Sequence, residues 1–365
     1  MSGVAYDKRV SNRAGWMVVV LGVAACGNDA PRGAPGSGSG SGSGSALGSA
    51  EQVAPVERSI PMTPIELIDS LPEPAIALPV QTGFELRAPG TGKREVLRYA
   101  FAAGRAEVAT ERTTRTATDN EPWSEAATWP MIRDGFEVTT AAPQPSGWRL
   151  SMHATDPVLA PGATPAAQSA AAAQVERWRA QVGTRRFDLD LDARASVVGV
   201  RFLDDVGAVP AADKRSAVDD VVQRLLASVV PVPSEAVGVG ATWHVRTNLR
   251  QGTAVVTQDA DYTLTARTAD AWTIDVKLRR VGEPQRVVDP ALPPGSVAEL
   301  IALVRESSGT LTVDPRKLLP VAGELSLTMM VHGTVSDRTQ TTQYLSEDNG
   351  RTVFAAPPSP TPSVP

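Results

Sequence analysis

The chain holds one cysteine and three histidines, and any nucleophilic or metal chemistry starts from these and its carboxylates. Cys26 follows Val23, Ala24 and Ala25, so a thiol open to alkylation stands behind a run of small residues. A single cysteine excludes an intramolecular disulfide and any zinc site built on several thiolates. His153, His244 and His332 lack the spacing of a metal-binding helix. Asp188, Asp190 and Asp192 begin like a calcium loop. Such a loop needs Gly at its sixth position and Glu at its twelfth, where this chain has Ala193 and Gly199. The leucines between the aspartates favour a strand with a solvated acidic face. The chain contains no GxSxG elbow, SxxK pair, phosphate-binding loop or GxGxxG turn. The residues point to a non-enzymatic protein, with no catalytic residue, no cofactor and no metal assigned.

The setting of Cys26 is the most informative stretch. Lys8, Arg9 and Arg13 precede an apolar run over residues 15–25, which is too short to span a bilayer core as a helix. A basic start, a short apolar core and small residues before a cut describe a signal peptide over residues 1–25. The end of this segment, Val-Ala-Ala-Cys, resembles the lipobox of bacterial lipoproteins. The resemblance implies a diacylglyceryl group on the Cys26 thiol, further acylation such as palmitate, and Cys26 as the mature N-terminus. Gly27, not Asp, follows the cysteine, which implies sorting to the outer membrane, with the chain facing the periplasm or the cell surface. The first partner is then the lipid bilayer, held through acylated Cys26.

Residues 26–60 read as a tether. Residues 36–45 are a pure Gly-Ser alternation that cannot bury apolar surface. A coil from Cys26 to Ile60 has a root-mean-square span of roughly 32 Å, enough to hold a domain off a membrane. Residues 355–365 are proline-rich and read as a disordered tail. The net charge of −5 argues against a nucleic-acid partner, since the chain lacks the excess cations that neutralise phosphates.

Residues 61–354 read as one α+β domain. Trp272, Ile274, Val276 and Leu278 alternate with Thr273, Asp275, Lys277 and Arg279. The same period of two recurs at Trp243 and Val245, at Phe187, Leu189 and Leu191, and at Leu325, Leu327, Met329 and Val331. Further strands are expected over 95–108, 148–153, 197–202, 261–267, 308–313 and 334–345. A helix is expected over 213–229, where Val218, Val221, Val222, Leu225, Leu226 and Val229 form one stripe between Pro210 and Pro231. Ser296 with Glu299 reads as a capping box opening a second helix to Arg305. Shorter helical patterns occupy 63–70 and 166–182. The two stronger helices, each followed by three strands, suggest a duplicated helix-plus-three-strand unit over 213–345. The expected architecture is a large curved antiparallel sheet with amphipathic helices covering one face.

Residues 231–243 read PVPSEAVGVGATW. Gly238 and Gly240 suit a tight turn, and Trp243 would fill the core at the start of the next strand. This segment, the lipobox and the tether together resemble a family of bacterial envelope lipoproteins of unknown function. The resemblance implies an envelope location and supplies no catalytic residues. Trp243, Trp272, Trp178, Val222 and Leu225 are the candidate lining of the core or of a ligand cavity. Three functions fit. The first is a binding or assembly module with an envelope protein as partner. The second is a periplasmic carrier or sensor of hydrophobic ligands such as lipid in a half-barrel-like cavity, which requires several hundred Å³ of apolar space. The third is a hydrolase whose residues meet only in space.

Overall fold

A computed structural model describes residues 79–119, 121–159, 186–203, 221–251, 253–287, 295–337 and 339–354, with residues 172, 175, 176 and 292. The signal segment with Val23, Ala24, Ala25 and Cys26, the tether, the predicted helix over 63–70, Trp178 and the tail lie outside the described residues.

The described chain is almost entirely strand. In order these are β1 (Val80–Ala88), β2 (Thr91–Val96), β3 (Gly104–Thr118), β4 (Ala127–Gln144), β5 (Gly147–Ala154) and β6 (Val158–Leu159). Then come β7 (Arg186–Asp192), β8 (Val197–Phe202), β9 (Ala236–Val239), β10 (Thr242–Gln251) and β11 (Ala254–Arg267). The last are β12 (Trp272–Gly282), β13 (Gln285–Val287), β14 (Val297–Val313), β15 (Ala322–Ser336) and β16 (Thr341–Phe354). One sheet runs β1-β10-β11-β12-β14-β15-β16-β3-β4-β5-β7-β8, every pairing antiparallel, with β6 and β13 attached at its side. β2 and β9 form a separate two-stranded ribbon.

The α+β expectation is therefore corrected. The described residues are 70% strand and 5% helical, and their sheet is a nearly closed barrel. Among the described residues, no layer of helices covers one face. A twisted sheet with this many strands curls on itself, and curling lets the apolar face cover itself. The inner rows are the alternating residues that the sequence marks: Trp243 and Val245 on β10, Ile274 and Val276 on β12, and Phe187 and Leu189 on β7 are all buried.

Residues 221–228 are helical, inside the predicted 213–229 helix, and they do not lie over an outer face. The helix crosses the interior. Gln258 Nε2 on β11 donates to the Leu226 carbonyl at 3.1 Å. Arg280 Nη2 on β12 donates to the Gln223 carbonyl at 3.1 Å. On the far wall, Asp134 on β4 accepts from Arg224 Nη1 at 2.5 Å. The apolar stripe Val221, Val222, Leu225 and Leu226 is buried among the inner rows.

The predicted helix over 296–305 is a strand, the first half of β14. Ala298 and Leu300 face inward, the register slips between Leu300 and Ala302, and Leu303 then takes the inward phase. One inserted residue turns a spacing of two into a spacing of three. That spacing imitates a helix in the sequence. Glu299, read as half of a capping box, lies 3.5 Å from Arg286 on β13. The second unit of the suggested duplication therefore lacks its helix.

The sheet edges are β1 and β8, and the β7–β8 turn contacts both the chain after the helix and β1. The Val232 N–H donates to the Arg194 carbonyl in the β7–β8 turn at 2.9 Å. The Arg194 guanidinium stacks over the Phe84 ring of β1 at 4.4 Å.

Candidate functional site

The outer wall carries ion pairs across neighbouring strands. Arg246 Nε on β10 donates to Asp259 on β11 at 2.7 Å, and Arg149 Nε on β5 donates to Asp190 on β7 at 2.7 Å. Asp188 and Asp190 also face Arg201 of β8, at 3.7 and 3.4 Å. They stand on a strand face, as their alternation with leucine requires. Asp192 turns the hairpin, accepting from the Arg194 and Ser196 backbone N–H groups at 2.9 and 2.7 Å. His244 lies between two carboxylates, 3.1 Å from Asp259 and 2.9 Å from Asp261. The Arg246 guanidinium holds the Asp259 carboxyl below its ordinary range, against the opposing effect of its partial burial. Charged residues at mid-strand positions outside and apolar rows inside reverse the polarity of a barrel that spans a bilayer.

The sequence-selected residues divide as follows. Trp243, Trp272, Val222 and Leu225 all belong to the buried core. Trp243 Nε1 donates to the Pro231 carbonyl at 2.8 Å, and its ring stacks on Tyr262 with centroids 5.6 Å apart. Trp272 packs edge-on against Tyr99 at 5.2 Å. Tyr99 lies in the segment between β2 and β3, which the sequence reads as strand. Its hydroxyl donates to the Val230 carbonyl at 2.9 Å, just beyond the helix. His153 lies on the outer wall, 3.3 Å from Glu137. Residues 110–118 belong to β3, and the Arg115 guanidinium sits 4.7 Å over the half-exposed Trp123 ring.

The interior also contains a polar belt that the sequence reading did not single out. Arg280 is 2% exposed. Its Nε donates to Gln258 Oε1 at 2.7 Å and its Nη2 to the Gln223 carbonyl, while its Nη1 has no partner. Gln258 uses its Nε2 on the helix, which fixes its oxygen toward Arg280. The strand register places Arg305 of β14 directly opposite Arg280, so both side chains leave the same face of the sheet. Two strands further round, Asp348 is also 2% exposed and accepts from Thr114 Oγ1 at 2.5 Å. Burial and the Arg305 charge push the Arg280 guanidinium well below its ordinary range. Burial, then the Arg112 charge, bring Arg305 down to about 10, with Asp348 pulling the other way.

A signal for Arg280 was present in the sequence. The inward phase Trp272, Ile274, Val276, Leu278 continues at position 280, so the pair Arg279–Arg280 must send one guanidinium inward.

Apolar side chains pack around this belt. Leu150, Phe187, Leu225, Leu249, Leu264 and Ile274 are fully buried. A hollow lined by Gln81, Ala195, Leu226, Val229 and Thr247 offers about 10 Å³ to a water-sized solute, room for one water at most. Among the described residues, no group of three or more His, Cys, Asp or Glu side chains is placed to hold a metal ion. Compared with protein-family models, curated proteins and solved structures, the chain matches none of them.

Proposed function

We propose that this chain is a membrane-anchored envelope lipoprotein whose barrel acts as a non-enzymatic binding or assembly module. Cys26 carries the acyl chains, residues 26–60 give the barrel its reach, and the outer membrane is the anchoring surface. Support for the anchor comes from the basic start, the short apolar run and the Val-Ala-Ala-Cys end. Several acyl chains on one residue hold firmly, because each buried CH₂ contributes about 0.8 kcal/mol.

The observation that favours a module over a lipid carrier is the helix across the barrel, with the close-packed rows around it. A carrier needs several hundred Å³ of apolar space, and among the described residues the hollow beside Leu226 and Val229 offers about 10 Å³. The outer wall offers the docking surface, where the charged ladders of β5, β7, β10 and β11 present alternating signs to a partner.

The test is native mass spectrometry of the full chain extracted from membranes, with organic extraction of whatever accompanies it. The expected mass is the processed chain plus the acyl groups on Cys26, and Cys26→Ser abolishes palmitate labelling. A second, stoichiometric lipid that survives Cys26→Ser would overturn the module reading in favour of a carrier. Undiminished labelling of the variant would overturn the anchor.

A further inference from the structure

We infer that the barrel interior is a binding site for a phosphate-type oxyanion, held between Arg280 of β12 and Arg305 of β14. The inference rests on the interior geometry and stands apart from the acyl anchor.

Two guanidinium groups directly opposite one another on adjacent strands repel. Arginine does not relieve such a conflict by losing its proton at neutral pH. The pair therefore needs negative charge beside it. Among the described residues, Asp348 is the carboxylate that acts on Arg305, and it is already engaged by Thr114 Oγ1. No described side chain bridges Arg280 and Arg305.

The geometry also leaves donors without acceptors. Arg280 Nη1 is buried with no partner, although Nε and Nη2 of the same guanidinium are both engaged. Gln223 Nε2, on the residue whose carbonyl Arg280 already grips, is likewise buried without a partner. Orphaned donors at neighbouring residues ask for an acceptor with several oxygens. A guanidinium fork matches phosphate and carboxylate geometry. The charge of Arg112 adds to that of Arg305, which favours a dianion over a monocarboxylate. Arg305 is the less buried member of the pair. The neutral alternative is an ordered water on Arg280 Nη1, which would satisfy one donor and leave the charge conflict in place.

The experiment is thermal unfolding of the full chain in chloride buffer. Inorganic phosphate is titrated against sodium chloride of equal ionic strength, with parallel acetate and dioctanoyl phosphatidic acid arms. The expected result is a saturable rise in Tm of about 5 °C at a hundredfold excess over Kd. It should be larger for phosphate than for acetate, and lost in both Arg280→Met and Arg305→Gln. Arg279→Gln, on the outer wall of the same strand, should keep it. A rise with phosphatidic acid exceeding that with phosphate would place the oxyanion on a lipid headgroup and leave the Arg280–Arg305 site intact. A rise matched by sodium chloride, or one that persists in both site variants, would overturn the inference. Equilibrium dialysis of radiolabelled phosphate against the unmodified chain gives a readout independent of the variants' folding. One phosphate per chain supports the site, and none refutes it.

Discussion

Trp243 Nε1 reaches the Pro231 carbonyl at 2.8 Å, closing the chain between the interior helix and the strand that follows it. Both residues are buried, and the indole also stacks on Tyr262. Trp243→Phe keeps an aromatic ring but strands a buried carbonyl and leaves a void. An orphaned buried acceptor costs about 1–3 kcal/mol, and the lost volume adds to it. We expect a stability loss of about 2–4 kcal/mol, measured by urea unfolding, with the m-value unchanged. A loss under about 0.5 kcal/mol would mean that the Pro231 carbonyl finds another donor.

The turn ahead of Trp243 allows a paired test. A Cβ on Gly238 would sit 2.1 Å from the Thr91 carbonyl oxygen, because β9 and β2 approach closely there. Gly240 has φ +83°, and a Cβ on it would meet nothing within 4 Å. Gly240→Ala carries only the left-handed backbone penalty, about 1–2 kcal/mol. Gly238→Ala must move backbone as well, so it should cost more than Gly240→Ala and detach the β2–β9 ribbon. Hydrogen exchange at Val237 and Val239 reads that detachment. Equal losses for the two variants would refute the steric argument.

These two glycines and Trp243 were legible in the sequence because turn and core chemistry are local. So were the inward rows of β7, β10 and β12, where period two persists without interruption. The first half of β14 was not. Its slip between Leu300 and Ala302 put Leu300 and Leu303 three apart, and no local cue separates that spacing from a helical turn. Ile301, inside the predicted helix over 296–305, is 36% exposed on the outer wall. The fold class was missed for a non-local reason: whether a sheet needs helices to cover it depends on how far it curls, and curling is a property of all its strands together. Of the candidate residues, Trp243, Trp272, Val222 and Leu225 lie in the buried core. The Arg280–Arg305 opposition depends on the strand order β12-β14, which no single strand encodes.

The pair Arg224–Asp134 ties the helix to the wall opposite Arg280, and its two halves differ in exposure. The Asp134 side chain is 7% exposed and that of Arg224 34%. Arg224→Ala leaves a carboxylate stranded in the interior, a situation that typically costs about 3–5 kcal/mol. Asp134→Asn leaves a guanidinium that water reaches, and should cost about 1–2 kcal/mol. Urea unfolding of both variants should rank Arg224→Ala as the more damaging. The reverse order would mean that Asp134 takes up another donor when Arg224 is gone.

Tyr99 and Tyr262 make the alkaline limb of stability the most direct probe of the packed interior. Burial drives both phenols far above their ordinary range, with Asp261 adding to the shift at Tyr262. In the unfolded chain they ionise near pH 10. Below pH 10 both states hold the phenolic protons, and the full contribution to stability is present. Above it the unfolded state binds fewer protons than the native state, so stability falls with rising pH, by about 1.4 kcal/mol per unit for each tyrosine. Arg305 acts in the opposite sense. Its native value is about 10, so above that pH the native state has shed a proton that the unfolded state still carries, and stability rises. Arg305→Gln removes that offset and should make the alkaline loss steeper, whereas Tyr262→Phe should make it shallower. Absorbance at 295 nm supplies the site-resolved check. The Tyr99 and Tyr262 phenolates should appear only with the unfolding transition followed by near-ultraviolet circular dichroism. If they appeared well before that transition, water would have access to the rings packed against Trp243 and Trp272, and the interior would not be closed around the helix.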